Sequence, residues 1–173
     1  MVTKTIGIDA RMYKNTGIGK YISCLVDALR EIDFTYKFVL FGPKGIDKLV
    51  KGDPRFQLVE YFVPIYSFLE QVRGPHVFRK ASLDLLHIPH YNIPVSYKGK
   101  MVVTIHDLTQ IKFSSLLGSP AKYLYSRALT YFACNKASQI ICDSNYTKKD
   151  IMHHFKIDSK KLEMVYLGLD RGF

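Results

Sequence analysis

Apolar residues follow two periods along this chain. A short run at 4–9 is rich in β-formers and ends on an acid, Asp9. From residue 18 the spacing changes. Ile18, Tyr21, Ile22, Leu25, Val26, Leu29 and Ile32 recur every three or four positions, the stripe that a helix buries. Thr16 is placed to cap it. Further strand patterns fall at 37–41, 56–62, 83–88, 101–106, 139–142 and 162–167. Helical stretches at 45–50, 67–81, from 120 onward and at 147–155 separate most of them. Gly74 and Pro75 are expected to break or kink the 67–81 helix. Ser119 caps the helix from Pro120, with Tyr123, Leu124, Ala128, Leu129 and Phe132 on its inner side. Ser144 or Asn145 caps the last helix. Strands alternating with helices predict one α/β domain, a mostly parallel sheet with helices on both faces. The segments 101–105 and 140–142 are almost wholly apolar, as strands buried on both faces are.

Composition narrows the class. A chain of 173 residues is one domain. With 47% hydrophobic and 23% charged residues it is neither disordered nor low-complexity, and its size supports a core without a disulfide or metal staple. Lys and Arg outnumber Asp and Glu by 25 to 15, a net charge of +10. That charge favours anionic partners: nucleic acid, phosphorylated small molecules or an acidic lipid surface. Cys24, Cys134 and Cys142 each sit in an apolar segment and form no CxxC, which reads as buried, reduced thiols of a cytoplasmic protein. No apolar run is long enough to cross a bilayer, and Met1 leads into a strand without a secretory pattern.

Candidate chemistry gathers where strands end. In an open parallel sheet, ligands bind beyond the carboxyl ends of the strands. Those ends carry Asp9, then His87 and His90, then His106 with Asp107, then Asp143 with Ser144. Asp143 and Ser144 fit a capping role better than a ligand-binding one. Gly17 and Gly19 open the first helix beside Arg11, Lys14 and Lys20, an arrangement suited to an anion such as phosphate or simply to a tight turn. It is not a dinucleotide fingerprint, because the third glycine would fall at Ile22. Glu70 lies in an apolar stretch and fits either a site acid or base or a surface pair with Arg73. His87 and His90 lack a third ligand at metal spacing, and His153 with His154 reads as a solvated helix face.

Several spaced motifs together resemble the family 4 retaining glycosyltransferases. They are Ile6 to Arg11 followed by Gly17 to Tyr21, Leu69 to Gln71, Asp84 to His90, Val102 to Leu108, Ala137 to Ser144, and Val165 to Asp170. The closest branch is the mannosyltransferase-like enzymes of surface-polysaccharide biosynthesis. The resemblance implies the N-terminal, Rossmann-like half of a GT-B fold. The donor is then a nucleotide sugar carrying a mannose-like hexose, and the acceptor a glycan or lipid-linked sugar. No further cofactor and no essential metal are implied. Gly17, Gly19 and Lys20 would lie near the donor phosphates, and His106 near the donor sugar. Glu70 and Asp107, catalytic together with His106, would lie toward the acceptor or support that geometry, and Asp9, Arg11, His87, His90 and Ser144 would line the cleft. Leu167 departs from the family pattern, which carries asparagine before this glycine.

The resemblance also implies a second, donor-binding domain with the basic residues that stabilise the leaving diphosphate. The chain is therefore expected to be an isolated N-terminal domain (a truncated form, a fragment or a split gene product) that is inactive alone. A lipid-linked acceptor would bring the loop 113–117, with Lys122 and Arg127 beyond it, to the inner face of the plasma membrane. Two competing classes are a basic nucleic-acid-binding module and a nucleotide-cofactor protein on a related fold. Dispersed Lys and Arg argue against the first, and the missing fingerprint against the second.

Overall fold

A computed structural model describes residues 3–32 and 35–168. Seven strands build one sheet: β1 (Thr5–Asp9), β2 (Lys37–Gly42), β3 (Phe56–Glu60), β4 (Leu85–Ile88), β5 (Met101–Ile105), β6 (Gln139–Cys142) and β7 (Leu162–Met164). Their order is β3-β2-β1-β4-β5-β6-β7, and every neighbouring pair is parallel. Progress across the sheet reverses after β3, so the crevice beyond the carboxyl ends of β1 and β4 is the switch point where such sheets bind ligands.

Six α-helices accompany the strands among the described residues: α1 (Thr16–Glu31), α2 (Asp47–Val50), α3 (Phe68–Lys80), α4 (Thr109–Lys112), α5 (Pro120–Lys136) and α6 (Asn145–Phe155). Strand alternation divides the core between the two faces. Phe38 and Leu40 of β2 cluster with Ile22 and Val26 of α1 and Val50 of α2. Val39 and Phe41, one residue out of phase, belong to the cluster that holds Phe78 of α3, Leu129 of α5 and Ile151 of α6. The helices therefore cover both faces, as the pattern predicts. All three cysteines are free, and burial raises the thiol pKa of Cys134 to about 12 and of Cys142 to about 11.

Four local expectations are corrected. α3 runs unbroken through Gly74 and Pro75. Both residues are buried, and a Cβ at Gly74 would stand 3.2 Å from Pro94 and from the Tyr61 hydroxyl. Packing there outweighs the backbone bond that proline removes. α1 begins at Thr16 itself, with Asn15 at the cap position and no side-chain cap bond. α5 buries Ser126, Leu129, Thr130, Ala133 and Cys134, and turns Leu124 and Phe132 to solvent. The apolar count misled because the inner face is made of small and hydroxyl-bearing residues. Last, β7 stops at Met164. Leu169 and Asp170, at the end of the final motif, lie outside the described residues.

The two glycines entering α1 have different reasons to be there. A Cβ at Gly19 would lie 2.3 Å from the Tyr13 carbonyl oxygen, whereas one at Gly17 would meet nothing within 4 Å. Gly19→Ala is therefore expected to destabilise the fold by roughly 1–3 kcal/mol. Gly17→Ala should be neutral or stabilising by up to about 1 kcal/mol. Urea unfolding of the two variants checks this; equal losses would refute the distinction.

Candidate functional site

β1, β4, β5 and β6 all release the chain at one edge of the sheet, and a cavity of about 360 Å³ opens there. Gly17 and Ile18 of α1 form one side. His106, Asp107 and Gln110 follow β5, Asp143 follows β6, and Tyr66, His90 and Tyr91 come from the segments after β3 and β4. The expected convergence of Gly17, His106 and Asp107 is thus present. Gly19 and Lys20 are not among the lining residues: Gly19 is buried under the Tyr13 carbonyl and Lys20 is exposed.

His106 is oriented from beside and beneath. Its Nδ1 lies 3.0 Å from Asp143 Oδ2. A carboxylate only accepts, so Nδ1 carries the proton and Nε2 of the neutral ring is an acceptor. The His106 carbonyl accepts from Thr147 Oγ1 at 2.8 Å, and Ser144 Oγ accepts from the Thr147 backbone N–H at 3.0 Å. Ser144, read from the sequence both as a helix cap and as a cleft residue, is the N-cap of α6. Asp143, which sequence offered as a cap, is the partner of His106.

Under His106 lies Tyr21, edge-on with ring centroids 5.0 Å apart. Its hydroxyl is 3.0 Å from Thr104 Oγ1, which is 2.9 Å from His87 Nε2. His87 is therefore corrected from cleft residue to interior residue. It sits within β4 and points beneath α1, whereas His90 lies past the strand end and reaches the cavity. Burial, then the neighbouring His106, pushes the His87 pKa down to about 4.

Asp9, Arg11 and Glu70 form a buried cluster. Arg11 Nε donates to Asp9 Oδ1 at 2.8 Å and Nη2 to Oδ2 at 2.6 Å. The same Nη2 stands 2.7 Å from Glu70 Oε1. Glu70 is fully buried and pairs with Arg11, not with Arg73 on the surface. Its Oε2 accepts from the Tyr66 N–H at 2.9 Å and from Asn92 Nδ2 at 2.6 Å. None of the three lines the cavity that His106 lines; they line a smaller one beside it, together with His90 and Asn92.

Tyr66, Tyr91, Gln110 and Asn92 were not read from the sequence. Aromatic residues are common here, with 12 Tyr and 11 Phe, and nothing local separates these two tyrosines from the rest. Asp143 and Tyr21 were visible, one at a strand end and one on a helix stripe, but their pairing with His106 spans 37 and 85 positions and carries no local pattern.

The imidazoles make stability depend on pH. His87 and His90 both have pKa values lowered to about 4, chiefly by burial and then by His106. An unfolded imidazole titrates near ~6.5. Below that pH the unfolded chain takes up protons that the folded chain refuses, so folding weakens on acidification. The stability is complete above pH ~6.5 and is lost toward pH 4 by up to about 1.4 kcal/mol per pH unit for each imidazole. Urea unfolding at pH 7, 6 and 5 measures the slope; stability that is flat or rises as pH falls would contradict it.

Two solved structures share this fold. A glycosyltransferase from Rickettsia africae ESF-5 matches with a TM-score of 0.57 at 13% identity, over 98% of this chain and 44% of its own. Anabaena HepE, solved in complex with UDP and glucose, matches with a TM-score of 0.61 at 15% identity, over 98% of this chain and 45% of its own. The chain spans less than half the length of either. No curated protein matches it. The likeness establishes the architecture, a Rossmann-like fold of the kind found in the N-terminal half of GT-B proteins. The sequence profile of Glycosyltransferase Family 4 matches residues 15–173, a span that takes in α1, His106 and Asp143. The chain belongs to Glycosyltransferase Family 4.

Proposed function

We propose that the chain is the acceptor-side domain of a retaining glycosyltransferase. The full enzyme moves a mannose-like hexose from a nucleotide sugar to a glycan or lipid-linked acceptor, without an essential metal. In the transfer the bond between sugar C1 and the diphosphate oxygen breaks and one to an acceptor hydroxyl oxygen forms. The single observation that carries this reading is the cavity at the carboxyl edge of a Family 4 domain, with Gly17 on one side and an Asp143-held His106 on the other. That HepE was solved with UDP and glucose supports a nucleotide-sugar donor.

The roles divide by chemistry. His106 Nε2 presents a lone pair to a sugar hydroxyl near the reacting carbon, and Asp143 keeps it in that tautomer. Gly17 leaves room above the first turn of α1, whose backbone N–H groups and lack of acidic residues suit an approaching phosphate. Stabilising a departing diphosphate needs preorganised positive charge, and no Lys or Arg among the described residues lines this cavity. A donor-binding domain supplies it.

The outer face of α5 supports a membrane-side acceptor. Leu124, Tyr131 and Phe132 are exposed there, with exposed Lys122 and Arg127 on the same helix. Apolar and basic groups together suit an anionic lipid surface.

Joined to the donor-binding half of a Family 4 enzyme, the chain is expected to transfer radiolabelled sugar from a UDP- or GDP-hexose. The 173-residue chain alone should not. His106→Ala in the joined protein should lower kcat/KM about 100-fold. Turnover by the chain alone would overturn the division of labour, and silence of every joined form would overturn the function. Vesicles containing anionic lipid should pellet the chain at low salt while neutral ones do not; negligible pelleting with both would remove the membrane contact.

A further inference from the structure

We propose that Tyr66 and Tyr91, with His90 beside them, form a wall on which a pyranose ring of the acceptor stacks, and that Glu70 positions this wall. The inference rests on the glycosyltransferase reading and adds the part of the site that receives the acceptor.

Tyr66 is the exposed face of the wall, and Tyr91, 9% exposed, backs it at the cavity edge. The Tyr66 hydroxyl lies 3.3 Å from the Tyr91 hydroxyl and 3.4 Å from His90 Nε2. The rings of His90 and Tyr91 have centroids 4.1 Å apart. Tyr66 keeps 48% of its surface exposed although its hydroxyl is engaged, so its ring is available for contact. Across the same cavity stand His106 and Gln110. His106 Nε2 and Gln110 Nε2 are both buried and have no hydrogen-bond partner among the described residues. One accepts and the other donates, and unpaired buried groups of this kind are rare without a purpose. A hydroxyl satisfies either one.

The charge of the cavity selects the ligand class. The chain carries +10, yet among the described residues the cavity is lined by Asp107 and Asp143 and by no Lys or Arg. Away from the α1 end, that lining offers an acceptor no cationic partner and suits a neutral, hydroxyl-rich ring. A pyranose offers apolar C–H faces to an aromatic wall and hydroxyls at its rim to the polar side.

Glu70 ties the wall together. Tyr66 holds φ +63°, a left-handed backbone conformation that an aromatic residue adopts only when its surroundings enforce it. Glu70 Oε2 accepts the Tyr66 N–H, and the same oxygen accepts from Asn92. The Asn92 backbone N–H in turn donates to His90 Nδ1 at 3.2 Å. That bond puts the neutral His90 proton on Nε2, toward the Tyr66 hydroxyl. One buried carboxylate therefore sets both segments of the wall without touching the ligand.

The test is NMR titration of the 173-residue chain with methyl α-mannopyranoside and methyl β-glucopyranoside, using glycerol as a ringless control. At least one pyranoside should perturb Tyr66, Tyr91 and Gln110 saturably at up to about 100 mM, a range that detects millimolar affinity. Glycerol should not. Tyr66→Ala should weaken binding about tenfold and Tyr66→Phe about threefold or less. Glu70→Gln should shift the Tyr66 amide resonance and weaken binding with the rest of the spectrum folded. Should that variant unfold, Asn92→Ala, which keeps the Arg11 pair intact, should weaken binding in the same way. Pyranoside binding that survives Tyr66→Ala would overturn the wall, and so would the absence of perturbation by either sugar. The assay of the joined halves reads transfer separately, so turnover there with a failed titration would sink this inference alone.

Discussion

The Arg11 guanidinium reaches Asp9 at 2.6 Å and Glu70 at 2.7 Å with almost none of its surface in water. Three charges are removed from solvent together, which by itself adds little net stability. What the arrangement adds is position. Arg11 follows β1, Glu70 sits in the first turn of α3, and Asn92 lies beyond β4. A guanidinium is charged at every relevant pH, and here its pKa is raised further by the two carboxylates against the opposing effect of burial. Neither carboxylate can leave without stranding it. The floor beneath the cavity is therefore set by a contact with no low-energy alternative.

On top of that floor, similar side chains take different roles by depth. His87 is sealed between strand and α1, bonded to Thr104, and stays neutral. His106 sits at the rim, fixed at one nitrogen by Asp143, with the other buried and unpaired among the described residues. His90 belongs to the aromatic side and is locked by a backbone N–H. Composition treats the three as equals. A place one or two residues past a strand end decides which of them reaches the cavity.

The architecture was legible in the sequence because strand and helix periods are local. β2 and β5 read cleanly from their apolar runs, and Ser119 and Ser144 from their capping positions. Failures came where contacts distant in sequence decide. Gly74 and Pro75 carry a local breaking signal, but Tyr61 and Pro94 hold the helix there. The inner face of α5 is made of Ser126, Thr130 and Ala133, which no hydrophobic count selects. In the site, His106 and Asp107 were found from their place after a buried strand. Glu70 was singled out for being a carboxylate among apolar residues, but its partner Arg11 lies 59 positions away and only the folded chain brings them together. Tyr66 and Tyr91 left no trace, since two tyrosines among twelve have no distinguishing neighbours.

The strand order has a consequence for how the domain comes into being. Of the seven strands, β1 is synthesised first and ends in the interior of the sheet, between β2 and β4. On the ribosome its Ile6, Gly7 and Ile8 can pair with β2 early, while their other side waits for Leu85 to His87. Through that interval a nascent chain presents a bare strand edge flanked by apolar side chains. Such an edge recruits stray strands, so vectorial synthesis of this topology favours cellular factors that shield the growing half-sheet until its second flank arrives.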